Sequence, residues 1–201
     1  MKTDDDFDPD SVPVRPAATV MLVDDRPDLH VLMVKRTARV VFAPDMWVFP
    51  GGRVDPEDHI DSLETVFAGL SNREASRRLG VDHGGLAWWL AACRETLEEA
   101  GLILAVGSVS EENVSRWREQ VLDDESIFAD LVLAERLVFD ATALEEVARF
   151  ITPVGAPRRF DARFFLARAP HGQEPRHDDH EIVDWVWVRP REALANWRAG
   201  T

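Results

Sequence analysis

The sequence predicts an α+β fold. Strand-like segments at 17–23, 29–35, 159–168 and 182–188 are mixed with helical segments, and the two types do not alternate regularly along the chain. A helical pattern at 86–100 stands between the early strands and the late ones. Irregular mixing of this kind favours α+β over a doubly wound parallel sheet.

Composition limits the class of protein. The chain has 201 residues and is 45% hydrophobic, which predicts one folded domain over residues 14–201 after an acidic, disordered tail at 1–13. The net charge of −14 argues against a general affinity for nucleic acid or for anionic membranes. The chain has one cysteine, Cys93, and no apolar run of about 18 residues, so we expect a cytoplasmic protein without a membrane span and with a buried structural thiol.

The first half of the chain reads as a hairpin followed by a glycine bend. The polar turn at 24–28 separates strand 17–23 from strand 29–35, which predicts an antiparallel pair. A loop at 37–46 and a short strand at 47–49 then lead into Gly51-Gly52, where the backbone can approach another element closely.

The remaining elements follow from apolar periodicity and from start and stop signals. Residues 145–151 fit a helix or a strand, and both alternatives stay open. The predicted helices are 62–79, 86–100, 110–123, 126–136 and 190–199, and the predicted later strands are 102–106, 159–168 and 182–188. The helix at 62–79 lies in a helical insertion at about 59–86, and those at about 110–136 are extra helices.

Three glutamates on the helix at 86–100 carry the chemistry. At ~100° per residue, Glu95, Glu98 and Glu99 share one face, and an apolar stripe that includes Cys93 lies opposite. Like charges this close repel one another, and a hard divalent cation with carboxylate ligands would neutralise them. A solvated acidic face is the alternative. Gly101 suits the left-handed residue that ends many helices.

The glycine bend and this helix together resemble the signature of the Nudix hydrolases, G-x5-E-x7-R-E-U-x-E-E-x-G-U with U aliphatic. Residues 94–102, Arg-Glu-Thr-Leu-Glu-Glu-Ala-Gly-Leu, match every fixed letter, and only Thr96 stands where an aliphatic residue is usual. The first glutamate of the signature falls on Asp58 when counted from Gly52, which we prefer, or on Glu57 when counted from Gly51.

The spacing within the signature points to one branch of the family. Between Asp58 and Arg94 lie 35 residues where the signature has seven, so about 28 are inserted. A branch similar to the peroxisomal coenzyme A diphosphatases has an insertion at this point. Residues 151–166, with Arg-Arg-Phe-Asp-Ala-Arg-Phe-Phe at 158–165, and residues 180–194 also resemble that branch.

The resemblance implies an α/β/α sandwich with a central mixed sheet and helical insertions. It implies hydrolysis of a pyrophosphate bond with Mg²⁺ or Mn²⁺, in coenzyme A or acyl-CoA. Hydrolysis of ADP-ribose or a nucleotide sugar, and nucleotide binding without catalysis, are the alternatives. The partner implied is a small-molecule nucleotide, and whether the chain forms a homodimer stays open.

The resemblance also assigns roles to individual residues. The implied metal ligands are Glu95, Glu98, Glu99 and the backbone of Gly51. Arg94 orients a glutamate, and Gly51, Gly52 and Gly101 shape the bend and the helix end. Glu181 is either the catalytic base or a solvated loop residue. By residue type, and not by the resemblance, the candidates for substrate phosphates are Arg53, Arg158, Arg159 and Arg163, because guanidinium groups match phosphate oxygens; the last three could instead pair with carboxylates.

Overall fold

A seven-stranded mixed sheet forms the centre of the protein. The structure is a computed structural model, and it describes residues 11–40, 43–178 and 180–200. Residues 1–10 of the predicted acidic tail therefore lie outside the described residues. The strands of the main sheet are β1 (Val14–Asp25), β2 (Leu29–Arg36), β3 (Trp47–Val48), β4 (Gly51–Arg53), β7 (Leu144–Ile151), β8 (Arg159–Arg168) and β9 (Ile182–Val188).

Strand β1 organises this sheet. Its last residues pair antiparallel with β2, which confirms the predicted hairpin, and its residues 17–19 pair antiparallel with β4. On its other side β1 runs parallel to β8 over ten residue pairs. Strand β7 pairs with β8, and β3 and β9 pair with β2, all antiparallel. The sheet is thus mixed, as expected.

Six α-helices flank the sheet in the described part of the chain. They are α1 (Leu63–Val66), α2 (Asn72–Leu79), α3 (Leu86–Ala100), α4 (Glu111–Asp123), α5 (Phe128–Ala134) and α6 (Pro190–Ala199). The bounds of α3, α6, β8 and β9 agree with the sequence predictions. Gly101 ends α3 in the left-handed conformation, with φ of 66°.

Two predicted elements are wrong. The single helix expected at 62–79 is broken into α1 and α2 by β5 (Phe67–Ala68), which pairs with β6 (Phe139–Asp140) in a small parallel sheet. Residues 102–106 do not form a strand. The backbone amide and carbonyl of Ile103 bond instead to the side chain of Gln173, at 2.9 and 3.1 Å. The ambiguous segment 145–151 belongs to strand β7.

Helix α3 lies in the core instead of on the surface. Of its 15 residues only Glu98 is not buried. Trp89 shows how the helix is fixed: its indole N–H donates to the carbonyls of Ala141 and Leu144 at 3.1 and 3.2 Å, and its ring packs edge-on against Phe165 at 4.8 Å. The side chains that α3 carries are therefore held on a rigid support.

We expect Trp89→Ala to lower the free energy of unfolding by about 3–5 kcal/mol, because it opens a cavity and leaves two buried carbonyls without their donor. Trp197→Ala is the matched control, since Trp197 is 75% exposed and its loss should change stability by less than about 0.5 kcal/mol. Urea denaturation of both variants measures the difference. Equal effects would contradict the role given to Trp89.

Candidate active site

A cleft of about 810 Å³ opens on one face of the sheet beside the end of α3. Its floor includes Ala17 and Thr19 of β1, which alternate with the core residues Ala18 and Val20. Ionisable side chains line one region of it. The carboxylates are Asp55, Glu95, Glu98, Glu99, Glu125, Asp178 and Glu181, and the guanidinium groups are Arg36, Arg53 and Arg158.

The three glutamates of α3 reach this cleft past the two glycines of β4. A Cβ atom at Gly52 would lie 2.3 Å from Glu95 Oε1, so a larger residue at position 52 would displace this carboxylate. The amide of Gly51 donates to Glu99 Oε2 at 2.9 Å. The glycine pair therefore provides both the room and a hydrogen bond for the glutamates, in agreement with the close approach expected from the sequence.

Arg94 lies behind the glutamates and is only 2% exposed. Its Nε and Nη2 donate to the two carboxylate oxygens of Asp58 at 3.2 and 3.0 Å, and Nη2 also donates to the carbonyl of Arg53 at 2.9 Å. Its Nη1 donates to Glu95 at 2.9 Å and to Glu98 at 3.2 Å. Arg94 thus fixes two of the three glutamates relative to the glycine strand.

The carboxylates of α3 bind protons more tightly than free glutamates do. Burial raises the pKa of Glu95 to about 7, and the Arg94 charge opposes that rise. Burial and the neighbouring Glu95 raise the pKa of Glu98 to about 8, and the same two causes raise the pKa of Glu99 well above its usual value. The cluster is therefore short of positive charge, although Arg94 and Arg36 contact it.

The donor set suits a hard divalent cation. Carboxylate oxygens are the ligands that Mg²⁺ and Mn²⁺ prefer, and a cation would offset the repulsion between Glu95 and Glu98. Within the described residues, no three ligating side chains are already gathered closely enough to enclose a cation by themselves. Water and substrate phosphate would complete the shell, which is how Mg²⁺ is commonly bound at phosphate sites.

Arg36 was not identified from the sequence as a site residue. It lies at the end of β2, where Nη1 donates to Glu99 Oε1 at 3.2 Å and Nη2 pairs with Glu181. Arg36 thereby connects a predicted metal ligand to the predicted base. An arginine that ends a strand carries no local signal for this contact, because Glu99 and Glu181 are 63 and 145 residues away in sequence.

The four arginines predicted to bind substrate separate into two groups. Arg53 and Arg158 line the cleft. Arg163 is 4% exposed and donates to Glu146 at 2.8 Å and to the carbonyl of Leu79 at 2.7 Å. Arg159 donates to the carbonyl of Thr152 at 3.1 Å. Odd-numbered residues of β8 face away from the cleft, so Arg159 and Arg163 do not line it, and their role in substrate binding stays a prediction.

The local contacts of three further residues explain their place in the structure. Thr96, which replaces the usual aliphatic residue, is fully buried and donates its hydroxyl to the carbonyl of Ala92 at 2.7 Å, so no polar atom is left unpaired. Cys93 is buried as expected, and burial raises the pKa of its thiol. Gly101 lies beside Arg118 and Arg176 and does not line the cleft.

Asp58, and not Glu57, occupies the position that contacts Arg94. Asp58 is 2% exposed, and Glu57 is exposed to solvent. We expect Asp58→Asn to lower the free energy of unfolding by about 2–4 kcal/mol, because it leaves the buried Arg94 charge without its bidentate partner. Glu57→Gln is the matched control and should have an effect below about 0.5 kcal/mol. Chemical denaturation distinguishes them, and a larger effect at Glu57 would reverse the assignment.

Curated proteins of related sequence include two from vertebrates. In sequence, the chain is 28% identical over 211 residues to "Acyl-coenzyme A diphosphatase NUDT19" of Xenopus laevis, covering 86% of this chain and 56% of that protein. The protein of the same name from Gallus gallus is 28% identical over 218 residues, with 86% and 57% covered. The chain therefore spans little more than half the length of these relatives.

A solved structure and a family model agree with this likeness. The crystal structure of a NUDIX hydrolase from Alicyclobacillus acidocaldarius superposes with a TM-score of 0.75 at 26% identity, covering 94% of this chain and 85% of that one. The model of the NUDT19 Nudix domain matches residues 80–201, which include all of α3. Because this match covers more than half of the chain, the chain belongs to the NUDT19 Nudix domain family of Nudix hydrolases.

Proposed function

We propose that this protein hydrolyses the pyrophosphate bond of coenzyme A or acyl-CoA, giving 3′,5′-ADP and phosphopantetheine or its acyl derivative. The observation that carries the proposal is the joint position of Glu95, Glu98 and Glu99 in one cleft, beside cationic side chains and an apolar surface. The name of the two vertebrate relatives, acyl-coenzyme A diphosphatase, supports the choice of a coenzyme A substrate.

In this proposal Glu95, Glu98 and Glu99 hold Mg²⁺ or Mn²⁺, with the backbone of Gly51 as a further candidate ligand. The ion would neutralise charge on the phosphate oxygens and help to activate water. Arg94 keeps Glu95 and Glu98 in place, and the amide of Gly51 keeps Glu99 in place. Arg53 and Arg158 bind phosphate oxygens from the cleft wall.

The reaction is the addition of one water molecule across the anhydride. The water oxygen bonds to one phosphorus, the bridging P–O bond breaks, and the bridging oxygen leaves with the other phosphate. Glu181 is our candidate to accept the proton of the water, since it lies in the cleft and is joined through Arg36 to Glu99.

Two wider proposals concern partner and compartment. A small nucleotide is a better partner than a nucleic acid for a chain with a net charge of −14. A single, buried cysteine fits the reducing cytoplasm. Within the part of the chain that the structure describes, no helix combines the length and apolar character that crossing a membrane requires.

The decisive experiment offers coenzyme A, ADP-ribose and diadenosine tetraphosphate to the protein with Mg²⁺ or with Mn²⁺ and identifies the products by mass spectrometry. We expect coenzyme A to give 3′,5′-ADP and phosphopantetheine. Faster turnover of ADP-ribose than of coenzyme A would change the proposed substrate but not the proposed reaction, which is hydrolysis of a pyrophosphate bond. Metal-dependent binding of these nucleotides without any turnover would support a sensor instead of an enzyme.

We expect Glu99→Gln to lower kcat by about a thousandfold, because a neutral amide is a much weaker metal ligand. The fold should remain intact, since glutamine can still accept the hydrogen bond from Gly51 and the change removes a buried charge. Thermal melting adds a readout that does not depend on turnover: Mn²⁺ should raise the melting temperature of the wild type more than that of Glu99→Gln.

Glu119→Gln serves as the control for this comparison, since Glu119 is exposed on α4 and does not line the cleft. Its kcat and its response to Mn²⁺ should match those of the wild type. Full activity in Glu99→Gln would remove Glu99 from the set of metal ligands.

A further inference from the structure

The cleft has an apolar extension that the hydrolytic chemistry does not use. It begins beside Arg53 and continues across β1 and β8 to the edge strand β7. Phe150 and Ile151 on this edge are 65% and 48% exposed although both line the cleft. Apolar side chains exposed inside a cleft indicate a surface that a ligand covers.

The strand register shapes this extension as a groove. Ala17 pairs with Arg53 of β4 on one side and with Ala162 of β8 on the other, and Ala162 pairs in turn with Phe150 of β7. All four of these residues line the cleft, so they form one row across the sheet. With strands about 4.8 Å apart, the row is about 14 Å long.

The side chains in and beside this row differ in size. The two alanines are the small residues in the middle of the row. Phe160 and Phe164, two positions to either side of Ala162 on β8, also line the cleft. Aromatic side chains therefore lie on either side of the two alanines, in a groove that runs from Arg53 at its polar end to Phe150 at its apolar end.

The shape and polarity of the apolar end favour a flexible chain over a purine base. The rings of Phe150 and Phe164 meet at 82°, with centroids 5.4 Å apart, so they do not present parallel faces for stacking. The nearby Thr152 hydroxyl accepts from the amide of Phe160 at 3.0 Å, and the Thr152 carbonyl accepts from Arg159 at 3.1 Å. These polar groups therefore already have hydrogen-bond partners within the protein.

We propose that this groove, defined by Ala17, Ala162, Phe160, Phe164 and Phe150, binds the acyl-pantetheine arm of the substrate and makes the protein select acyl-CoA by chain length. The inference rests on the proposed function for the identity of the ligand. The pyrophosphate lies at the carboxylate end, the pantetheine arm follows the alanine floor, and the acyl chain covers Phe150. Each methylene that leaves water for the groove should strengthen binding about twofold, roughly half the gain of full burial, because one side stays open.

The test measures binding in the absence of divalent metal ions, so that the pyrophosphate bond of the ligand stays intact. Isothermal titration calorimetry with S-ethyl-, S-butyl- and S-octyl-CoA thioethers should show Kd falling about twofold per methylene in the wild-type protein. Ala162→Leu, which fills the floor, and Phe150→Ala, which removes the apolar end, should each reduce the ratio of Kd between the ethyl and octyl compounds at least fivefold. Trp197→Ala is the control, because Trp197 is an exposed aromatic residue that does not line the cleft. This variant should keep the wild-type ratio of Kd between the ethyl and octyl compounds.

Binding of 3′,5′-ADP tests the nucleotide end of the ligand separately from the acyl end. We expect Ala162→Leu to change its Kd less than twofold. A wild-type Kd independent of chain length, or a chain-length ratio unchanged in both groove variants, would overturn the inference. Loss of 3′,5′-ADP binding in a folded Ala162→Leu protein would reassign the groove to the nucleotide. The chain-length series also distinguishes this inference from the proposed function, because dependence on chain length without hydrolysis would contradict only the latter.

Discussion

The arrangement of the site depends on one buried guanidinium group. Arg94 contacts Asp58 and the carbonyl of Arg53 on one side and Glu95 and Glu98 on the other. Burial by itself lowers the pKa of Arg94, but the surrounding carboxylates, Glu95 first, more than reverse this effect. A cation that is paired on several sides in a low-dielectric setting holds its partners in fixed geometry, and loss of Asp58 would remove a bidentate contact from this arrangement.

This ion network also explains how the signature tolerates an insertion. Asp58 and Arg94 are separated by 35 residues, yet they form a bidentate pair. The inserted segment leads the chain back to the start of α3 and supplies hydrogen-bond acceptors for amides at that start. Gly85 offers no side chain to cap the helix, and the amides of Gly85 and Leu86 instead donate to Ser76 Oγ and Asn72 Oδ1 of α2, at 2.9 and 3.0 Å. Helix α2 thus satisfies amides that would otherwise stay unpaired at the start of the helix.

Local sequence signals explain which predictions were correct. The bounds of α3 and α6 follow from periodicity together with Gly101 and Pro190, and those of β8 and β9 from alternation, so all four were predictable. The break at 67–68 in the helix expected at 62–79 was not predictable, because it depends on pairing with Phe139 and Asp140, about 70 residues later in the sequence. The same limit applies to residues 102–106, where the backbone of Ile103 bonds to the distant Gln173 side chain and Ala105 makes an isolated bridge to Phe139.

The site shows the same division between local and distant information. The spacing of Glu95, Glu98 and Glu99 on one helix face is a local property, and the structure brings all three to one cleft. The role of Arg36 arises only when strand β2 and the loop at Glu181 meet the end of α3. The arginines at 159 and 163 were assigned by type alone, whereas alternation along β8 would have separated them from Phe160 and Phe164.

The parallel pairing of β1 with β8 determines both stability and the shape of the cleft. One face of these strands places Ala18, Val20 and Phe165 in the core, and the other places Ala17, Ala162 and Phe164 in the cleft. A slip of one residue would exchange the two sets, exposing core side chains and filling the groove. Burial of the core face fixes the register of β1 and β8 over ten residue pairs, and this register places the groove residues next to one another. The burial that stabilises the sheet therefore also determines the shape of the groove.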